Sequence, residues 1–368
     1  LREVLLRDRI VVAVAGTHGK TSTSSMLAWI LTKQGFDPGY LIGGMPENFE
    51  HPVSFGSSPF FVIEADEYDT AFFDKRAKLV HYVPNIFILN NLEFDHADIY
   101  PNIEAIKTQM HHGIKLIPDN GVLITPCLSN NILNNNLNKD IQDVLDLGSW
   151  CINKQFIVLD YAEKKSVNTD IEWAIQALSE DCSEFCIYYK GREVARGSWG
   201  QIGGFNLHNA MAAIMAAISC KAIESNADIK DYYDKLDAKD GVVQSLVDSL
   251  NDYKGVKRRC ECIYSADNIS VYDDFAHHPT AIRETLLGLR SKVMAGVKAG
   301  VKAGIKNQSS SDSRIIVMFE PRSHTMKRQV HKKALFDSLK LADIIYIYTP
   351  ENLDWDVSSF LKGLDSCY

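Results

Sequence analysis

The chain has 368 residues, which is too long for one compact core and predicts two or three domains. Its apolar fraction of 46% and charged fraction of 23% are ordinary for a globular protein. The formal net charge of −8 argues against a general nucleic-acid binder, because such proteins are usually basic. The sequence has no apolar run near the roughly 20 residues that span a bilayer, and the spacing of its cysteines predicts no zinc site. We therefore expect a cytoplasmic protein with reduced thiols and no membrane insertion.

The first predicted elements are a strand, a glycine-containing loop and a helix. Residues Ile10 to Ala15 form a continuous apolar run, which is typical of a buried parallel strand. The loop follows directly as Gly16-Thr17-His18-Gly19-Lys20-Thr21. From Thr21 to Gln34 the apolar residues recur at helical spacing, and Gly35 is a suitable residue after a helix end.

The loop resembles a phosphate-binding loop in a shortened form. Its two glycines allow backbone N–H groups to approach phosphate oxygens, and the following helix adds aligned dipoles. Lys20 would place its charge on the terminal phosphates, and Thr21 could place its hydroxyl on Mg²⁺. The full motif has a glycine at position 14, where this chain has Val14. Because of its place between strand and helix, we favour nucleotide binding, with ATP as the expected nucleotide, over a structural turn. The predicted contacts are Gly16, Thr17, His18, Gly19, Lys20, Thr21 and Ser22.

Further apolar runs predict more strands of the same sheet, at Phe60–Ile63, Ile86–Leu89, Gly121–Ile124 and Phe156–Leu159. Strands that alternate with polar loops and helices predict an α/β fold with a P-loop-type, mostly parallel central sheet and helices on both faces. Ligands of such sheets gather at the carboxyl ends of the strands. We expect the functional site there.

Two of these strands end in candidate metal ligands. Glu64 follows the second strand and is well placed for Mg²⁺, which prefers oxygen ligands. The nearby alternatives are Asp66, Glu67 and Asp69. A solvated acidic turn is the competing interpretation. His96 lies just past the third strand, flanked by aspartates, and beside a nucleotide site we interpret it as a ligand rather than a structural histidine.

An alanine-rich helical pattern runs from Asn206 to Ala222, and a basic run after residue 254 marks a composition change. The chain after that change is predicted to form a smaller, Rossmann-like α/β domain. Further strands are predicted at Ile269–Tyr272, Ile315–Phe319 and Ile344–Tyr348. Residues 295–313 contain near-copies of Val/Ile-Lys-Ala-Gly and predict a solvent-exposed insertion. We therefore predict domains at residues 1–254 and 255–368.

A series of motifs, in this order along the chain, resembles the Mur ligases of bacterial cell-wall synthesis. The motifs are Gly16 to Thr21, Glu64 to Glu67, Asn90 to Asp98, Asn206 to Ala210, Arg258-Arg259 and Asp273 to Thr280. The histidine in the loop and the Asp-Asp-x-x-His-His-Pro pattern are similar to the branch that uses UDP-N-acetylmuramate. The resemblance covers nearly the whole chain. The family's N-terminal UDP-binding domain is expected to be absent ahead of Leu1.

The resemblance implies an ATP-dependent ligase that joins L-alanyl-γ-D-glutamyl-meso-diaminopimelate to the lactyl carboxylate of UDP-N-acetylmuramate through an acyl phosphate, in peptidoglycan recycling. The segments Glu67–Arg76 and Phe319–Thr325 favour this murein tripeptide as the substrate. An alternative is UDP-N-acetylmuramate–L-alanine ligase, in de novo synthesis. A nucleotide-dependent switch or motor ATPase is a third hypothesis, and it would need no carboxylate acceptor.

The resemblance also implies roles for residues on both sides of a closing cleft. The catalytic residues are Lys20, His96 and Glu64. One Mg²⁺ is held by Thr21 and Glu64, and a second by His96. The adenine contacts are Asn206 and Asn209. From the second domain, Arg259 reaches the phosphates, and the ribose contacts are Asp274, His277 and His278. Without the resemblance, Arg258-Arg259 would suit a solvated strand start equally well.

Overall fold

The structure is a computed structural model of the 368-residue chain. It describes residues 1–126, 140–141, 143–144, 157–163, 172–236, 240–302, 313–322, 324–327, 331–349, 353 and 356–357, with side chains at all of these except 157–163, 297–302 and 324. No helix within these ranges is both long and apolar enough to cross a membrane.

A ten-stranded sheet lies at the centre of the molecule. In chain order, the strands of this half are β1 (Ile10–Ala15), β2 (Gly39–Leu41), β3 (Val53–Ser54), β4 (Phe60–Glu64), β5 (Asp69–Ala71), β6 (Asp74–Ala77), β7 (Ile86–Leu89), β8 (Val122–Pro126), β9 (Ile157–Glu163), β10 (Trp173–Ala177), β11 (Glu184–Tyr189) and β12 (Arg192–Ser198). The order across the sheet is β12-β11-β10-β9-β8-β7-β1-β4-β2-β3, while β5 and β6 form a separate hairpin. Neighbours from β10 to β2 are parallel, whereas β11, β12 and β3 are antiparallel to theirs. The predicted, mostly parallel sheet is thus confirmed.

Helices cover both faces of this sheet, as predicted. They are α1 (Lys20–Lys33), α2 (Ile103–Ile114), α3 (Gly204–Glu224), α4 (Ile229–Asp234) and α5 (Val242–Asp248), with a π-helical turn at Arg2–Leu6 and a 3₁₀ turn at Lys78–His81. Because successive side chains of a strand point to opposite faces, β1 contributes to two cores. Val12 and Val14 lie in the core with α1 and α3, whereas Val11, Ala13 and Ala15 lie in the core with α2.

The first half of the sequence predicts the structure most closely around β1. The predicted strands at Ile10–Ala15 and Ile86–Leu89 have the observed bounds, and the α1 residues at helical spacing, Met26, Leu27, Ile30 and Leu31, are fully buried. The helix begins at Lys20, one residue before the predicted start. The antiparallel strands β11 and β12 and the short edge strands β2 and β3 were not predicted.

The C-terminal part contains two small sheets with helices between them. Its elements are β13 (Glu261–Ala266), β14 (Ile269–Asp273), α6 (Pro279–Lys302), β15 (Ile316–Phe319), α7 (His324–Lys327), α8 (Lys332–Leu339) and β16 (Ile344–Ile347). Strands β15 and β16 are parallel, and β13 and β14 form an antiparallel hairpin. A separate core joins α6, α8 and the parallel pair.

The C-terminal part differs from the sequence prediction in two features. The predicted strand at Ile269 pairs with β13 in an exposed hairpin, and the Ile269 side chain is 59% exposed. Helix α6 continues to Lys302, so residues 295–302 of the predicted insertion are helical. Residues 303–312 lie outside the described residues.

Candidate active site

The loop between β1 and α1 is fixed by contacts with α3 and with the end of β7. Gly19 has a φ of 80°, in the left-handed region, and a Cβ there would lie 2.3 Å from Oδ1 of Asn209 on α3. Only glycine suits both the conformation and the space. The Thr23 hydroxyl donates to the same Oδ1 (3.2 Å) and accepts from Nδ2 of Asn90 (2.8 Å), at the end of β7. The loop is therefore fixed by α3 and by the neighbouring strand.

Lys20 points back over this loop, as a phosphate-binding lysine would. Its Nζ donates to the Gly16 carbonyl (2.7 Å) and to both carboxylate oxygens of Glu67 (3.2 and 3.0 Å), with Asp66 at 3.9 Å. Burial alone would lower the pKa of Lys20, but the nearby Glu67 and Asp66 carboxylates outweigh it and raise the pKa. Lys20 is therefore a fixed positive charge at the carboxyl end of the sheet.

Glu67 is a buried carboxylate that contacts both Lys20 and His96. The residue is 2% exposed, and its Oε1 lies 2.8 Å from Nε2 of His96. Burial would raise the pKa of Glu67, but Lys20 and His96 together lower it to about 2. The hydroxyl of Tyr100 donates to the Glu67 backbone carbonyl, which fixes the main chain here. Glu67 thus stays ionised and joins the lysine of the loop to the predicted metal histidine.

His96 lies in a constrained position beside that carboxylate. Its φ is 56°, its backbone N–H donates to Oδ1 of Asp95 (2.7 Å), and its ring packs 4.2 Å from the ring of Tyr68. Burial alone would lower the pKa of His96, but Glu67 and Asp95 raise it. One ligand atom each of Asp66, Glu67 and His96 lies within 4.8 Å of the others. His96 therefore has Glu67 as its partner, whereas the sequence favoured Glu64 as the metal ligand and offered Glu67 only as an alternative.

Thr21 and Glu64 interact with each other and form a second group of candidate metal ligands. Glu64 Oε2 accepts from the Gly43 backbone N–H (2.8 Å), while Oε1 is buried and has no hydrogen-bond partner among the described residues. Burial raises the pKa of Glu64, against the opposing effects of Thr21 and Lys20. A buried oxygen without a partner is an unfavourable arrangement that a cation would relieve. The predicted Thr21–Glu64 pair therefore fits an oxygen-liganded metal.

The C-terminal part reaches this loop through Arg259. Its guanidinium donates to the Thr21 hydroxyl (3.3 Å) and lies over the ring of Phe275, 5.5 Å from the centroid. Arg259 thus lies beside the predicted phosphate loop, and its contact with phosphates stays a prediction.

A second carboxylate, Glu93, joins the two parts of the molecule. Its Oε2 lies 2.7 Å from Nε2 of His18 in the loop and 3.3 Å from Nδ1 of His278, and its Oε1 accepts from the Thr280 hydroxyl (2.9 Å). The Thr17 hydroxyl both donates to the Glu93 carbonyl and accepts from its N–H. Burial would raise the pKa of Glu93, but His18 and His278 lower it overall. Burial, with His18 and His331 nearby, lowers the pKa of His278.

The neighbouring segment adds more contacts across the same boundary. The Asp95 carboxylate accepts from the Thr325 hydroxyl (2.9 Å) and lies 3.7 Å from Nε2 of His277. Nε2 of His331 lies 2.9 Å from the Phe94 carbonyl. The segment after β7 thus carries both His96 and several contacts to the C-terminal part.

Two of the remaining predicted residues, Asp274 and Asn206, have hydrogen bonds within their own part of the molecule. Asp274 accepts from the Ala276 N–H (2.8 Å) and the Thr285 hydroxyl (2.7 Å), within its own part. Asn206 donates to the Ile202 carbonyl (2.9 Å), and Ser22 is half-buried in the first turn of α1. Contacts of these residues with adenine or ribose stay predictions. Sequence reasoning gave no role to Glu93 or Asn90, although both lie in the polar run after β7 that marked His96.

Three comparisons place this geometry among known proteins. A family model described as the Mur ligase middle domain matches residues 14–217. The sequence is 39% identical to UDP-N-acetylmuramate–L-alanyl-γ-D-glutamyl-meso-2,6-diaminoheptandioate ligase of Haemophilus influenzae, over 97% of this chain and 67% of that protein. It is 30% identical to UDP-N-acetylmuramate–L-alanine ligase of a Geobacter species, over 92% of this chain and 62% of that protein. The crystal structure of a murein peptide ligase from Psychrobacter arcticus superposes with a TM-score of 0.62 at 34% identity, over 99% of this chain and 68% of that one.

Proposed function

This chain belongs to the Mur ligase family, as its motifs predicted, and we propose that it is the ATP-dependent ligase that joins L-alanyl-γ-D-glutamyl-meso-diaminopimelate to UDP-N-acetylmuramate. The observation that carries the choice of substrate is the 39% identity, over nearly the whole chain, to a ligase named for that tripeptide. The relative named for L-alanine is 30% identical. The role in peptidoglycan recycling follows from the tripeptide substrate.

The geometry of the loop supports the ATP site. Gly16 and Gly19 put no side chain between the loop backbone and a bound phosphate, and the N-terminus of α1 adds its dipole. Lys20 is buried and kept charged by Glu67, so it is a preorganised cation for the terminal phosphates. We propose that Arg259 joins it from the C-terminal part, because its guanidinium already contacts Thr21.

We propose that Mg²⁺ is held by the two acidic groups at the strand ends. The Thr21 hydroxyl and the Glu64 carboxylate would hold one ion, since Glu64 has a buried oxygen without a partner. His96, with Asp66 and Glu67 beside it, would hold the second. Bound Mg²⁺ supplies positive charge that offsets the negative charge of the transferring phosphoryl group.

The reaction we propose is a phosphoryl transfer followed by an acyl transfer. The lactyl carboxylate of UDP-N-acetylmuramate attacks the γ-phosphorus of ATP, ADP leaves, and the peptide amine then displaces phosphate from the acyl phosphate. Such a reaction needs positioning and charge stabilisation rather than covalent help from the protein. Lys20 and Arg259 supply the charge from two sides, and their separate origins in the chain make closure of the two parts a requirement for turnover.

We further propose that the division between the ATP-binding domain and the C-terminal domain lies at residues 254–255. The core of the first part includes Leu250 and Tyr253, and the separate core of the second begins at Ile282, which supports this boundary. We propose a cytoplasmic location, where ATP is available.

A product assay tests the proposed substrate directly. The full-length protein is incubated with ATP, UDP-N-acetylmuramate and either the tripeptide or free L-alanine, and products are identified by mass spectrometry. We expect the amide with the tripeptide, with equal amounts of ADP and phosphate. A product with free alanine alone would establish the alternative ligase. ATP hydrolysis that ignores UDP-N-acetylmuramate would instead support a switch or motor ATPase.

A further inference from the structure

The segment after β7 holds the phosphate loop, residues 16–21, through both backbone and side-chain contacts. The Asn91 side chain accepts from the His18 backbone N–H (2.8 Å) and donates to the His18 carbonyl (3.1 Å). The Glu93 backbone exchanges two hydrogen bonds with the Thr17 hydroxyl. The Glu93 carboxylate oxygen Oε2 lies 2.7 Å from Nε2 of His18. The backbone and the histidine ring of the loop are therefore fixed by the same segment.

The Glu93 carboxylate also reaches the C-terminal part of the molecule. Its other oxygen, Oε1, accepts from the hydroxyl of Thr280 (2.9 Å), in the first turn of α6. Nδ1 of His278 accepts from the Thr280 backbone N–H (3.3 Å), so this nitrogen is not the donor that Glu93 uses. Each oxygen of Glu93 is thus hydrogen-bonded to a different part of the molecule, Oε2 to the loop and Oε1 to α6.

The low exposure of this carboxylate makes its two hydrogen bonds depend on each other. The side chains of Glu93 and His18 are only 17% and 19% exposed. A hydrogen bond to a charged group at such a position changes an equilibrium by about 10-fold or more. When the Thr280 hydroxyl is removed, Oε1 loses its donor, and the carboxylate is stabilised by turning towards water and away from His18. The contact with His18 is therefore most favourable when the C-terminal part is in place.

We propose that Glu93 is a positioning residue that couples the docking of the C-terminal part to the ordering of the phosphate loop. Docking brings Arg259 beside the loop, and through Thr280, Glu93 and His18 it also holds the loop in its ordered form. Because such coupling is reciprocal, an ordered loop in turn favours docking. The effect on turnover rests on the proposed function, whereas the effect on the loop does not.

The test compares two threonine-to-valine changes on helix α6 of the full-length protein. Thr280→Val has nearly the same shape as the wild type, keeps the backbone N–H, and removes only the hydroxyl that donates to Glu93. The matched control is Thr285→Val, which removes a hydroxyl that donates to Asp274 (2.7 Å) within the C-terminal part. A third variant, Glu93→Ala, removes both acceptor oxygens and keeps the backbone contacts of residue 93.

The first measurement is amide hydrogen exchange of residues 16–22 in the nucleotide-free proteins. The His18 N–H is hydrogen-bonded to the segment after β7, so its exchange reports how often the loop opens. We expect exchange about 3- to 10-fold faster in Thr280→Val than in the wild type, and an unchanged rate in Thr285→Val. Glu93→Ala should be at least as fast as Thr280→Val, and the double variant should be no faster than Glu93→Ala.

The second measurement is kcat in the ligase assay, which should fall about 3- to 10-fold in Thr280→Val and no further when this change is added to Glu93→Ala. Two independent structural losses would instead multiply. Thermal melting shows whether each variant is folded, and if Glu93→Ala is not, the two valine variants decide.

The proposal is overturned if Thr280→Val leaves loop exchange or kcat unchanged, if Thr285→Val accelerates loop exchange equally, or if Thr280→Val has the same effect in Glu93→Ala as in the wild type. A wild type that forms no amide but shows the expected exchange pattern would refute the proposed function and support the role of Glu93.

Discussion

Replacing Glu67 by glutamine should destabilise the protein by about 3 kcal/mol at neutral pH. The carboxylate is buried, and Lys20 and His96 lower its pKa from an ordinary 4.5 to about 2. A difference of about 2.5 pKa units corresponds to about 3 kcal/mol of stability in the ionised form. Glutamine removes that charge and leaves the buried Lys20 with the Gly16 carbonyl at 2.7 Å, the Asp66 carboxylate at 3.9 Å and the more distant charge of Glu64. Loss of one partner of a buried ion pair typically costs about 3–5 kcal/mol, which agrees with this figure.

The effect should depend on pH in a defined direction. Because the pKa of Glu67 is lower in the folded than in the unfolded protein, its contribution is fully present above about pH 4.5. It is lost as the pH falls from there towards 2. The difference in unfolding free energy between the wild type and Glu67→Gln, measured by urea denaturation, should therefore be largest at neutral pH and should shrink below pH 4.5.

Asp69→Asn is the matched control for this experiment. It makes the same acid-to-amide change two residues away, where the carboxylate pairs with the exposed Lys75 on the β5–β6 hairpin (2.6 Å). An exposed ion pair contributes at most about 1 kcal/mol, so this variant should be close to the wild type. Equal losses in Glu67→Gln and Asp69→Asn, or a loss in Glu67→Gln that does not change between pH 7 and pH 3, would refute the reasoning.

Three further changes probe the loop and its neighbours. Lys20→Ala should lower kcat at least ~100-fold in the ligase assay, and normal turnover would exclude its role in phosphoryl transfer. His96→Ala should reduce acyl-phosphate formation, followed by trapping the intermediate, more than it weakens ATP binding; equal losses would indicate a structural histidine. Gly19→Ala should lower the melting temperature more than Gly35→Ala, because both have positive φ but only Gly19 would bring its Cβ against a neighbouring side chain. Equal shifts would mean that the loop can move away from α3.

The sequence was sufficient to predict the local part of the site. An apolar strand, a glycine loop and an amphipathic helix are specified by residues close together in the chain, and β1 and α1 appear where the pattern places them. The rule that ligands gather at the carboxyl ends of parallel strands then located Glu64 and His96. Both lie at that edge, beside the loop. This much follows from periodicity and from general properties of parallel sheets.

The pairing of side chains at that edge could not be predicted in the same way. Glu64 and Glu67 are three residues apart, and either could have pointed at His96. The turn after β4, with the Tyr100 hydroxyl on the Glu67 carbonyl, decides in favour of Glu67. Likewise, contact between Glu93 and His278 joins residues far apart in sequence. Such contacts depend on how the two parts pack, which no local pattern contains.

Two carboxylates, the buried Glu67 after β4 and the half-buried Glu93 after β7, fix the phosphate loop and connect it to the C-terminal part. Glu67 neutralises Lys20 from within the ATP-binding part, so the lysine keeps its position without a ligand. Glu93 contacts His18 of the loop and also accepts a hydrogen bond from Thr280 of the C-terminal part. A change in the position of the C-terminal part therefore acts on the loop through Glu93, while Glu67 keeps the catalytic lysine in place. Loss of Glu93 should accordingly weaken the connection of His18 to the C-terminal part and leave Lys20 undisturbed, whereas loss of Glu67 should disturb Lys20 first.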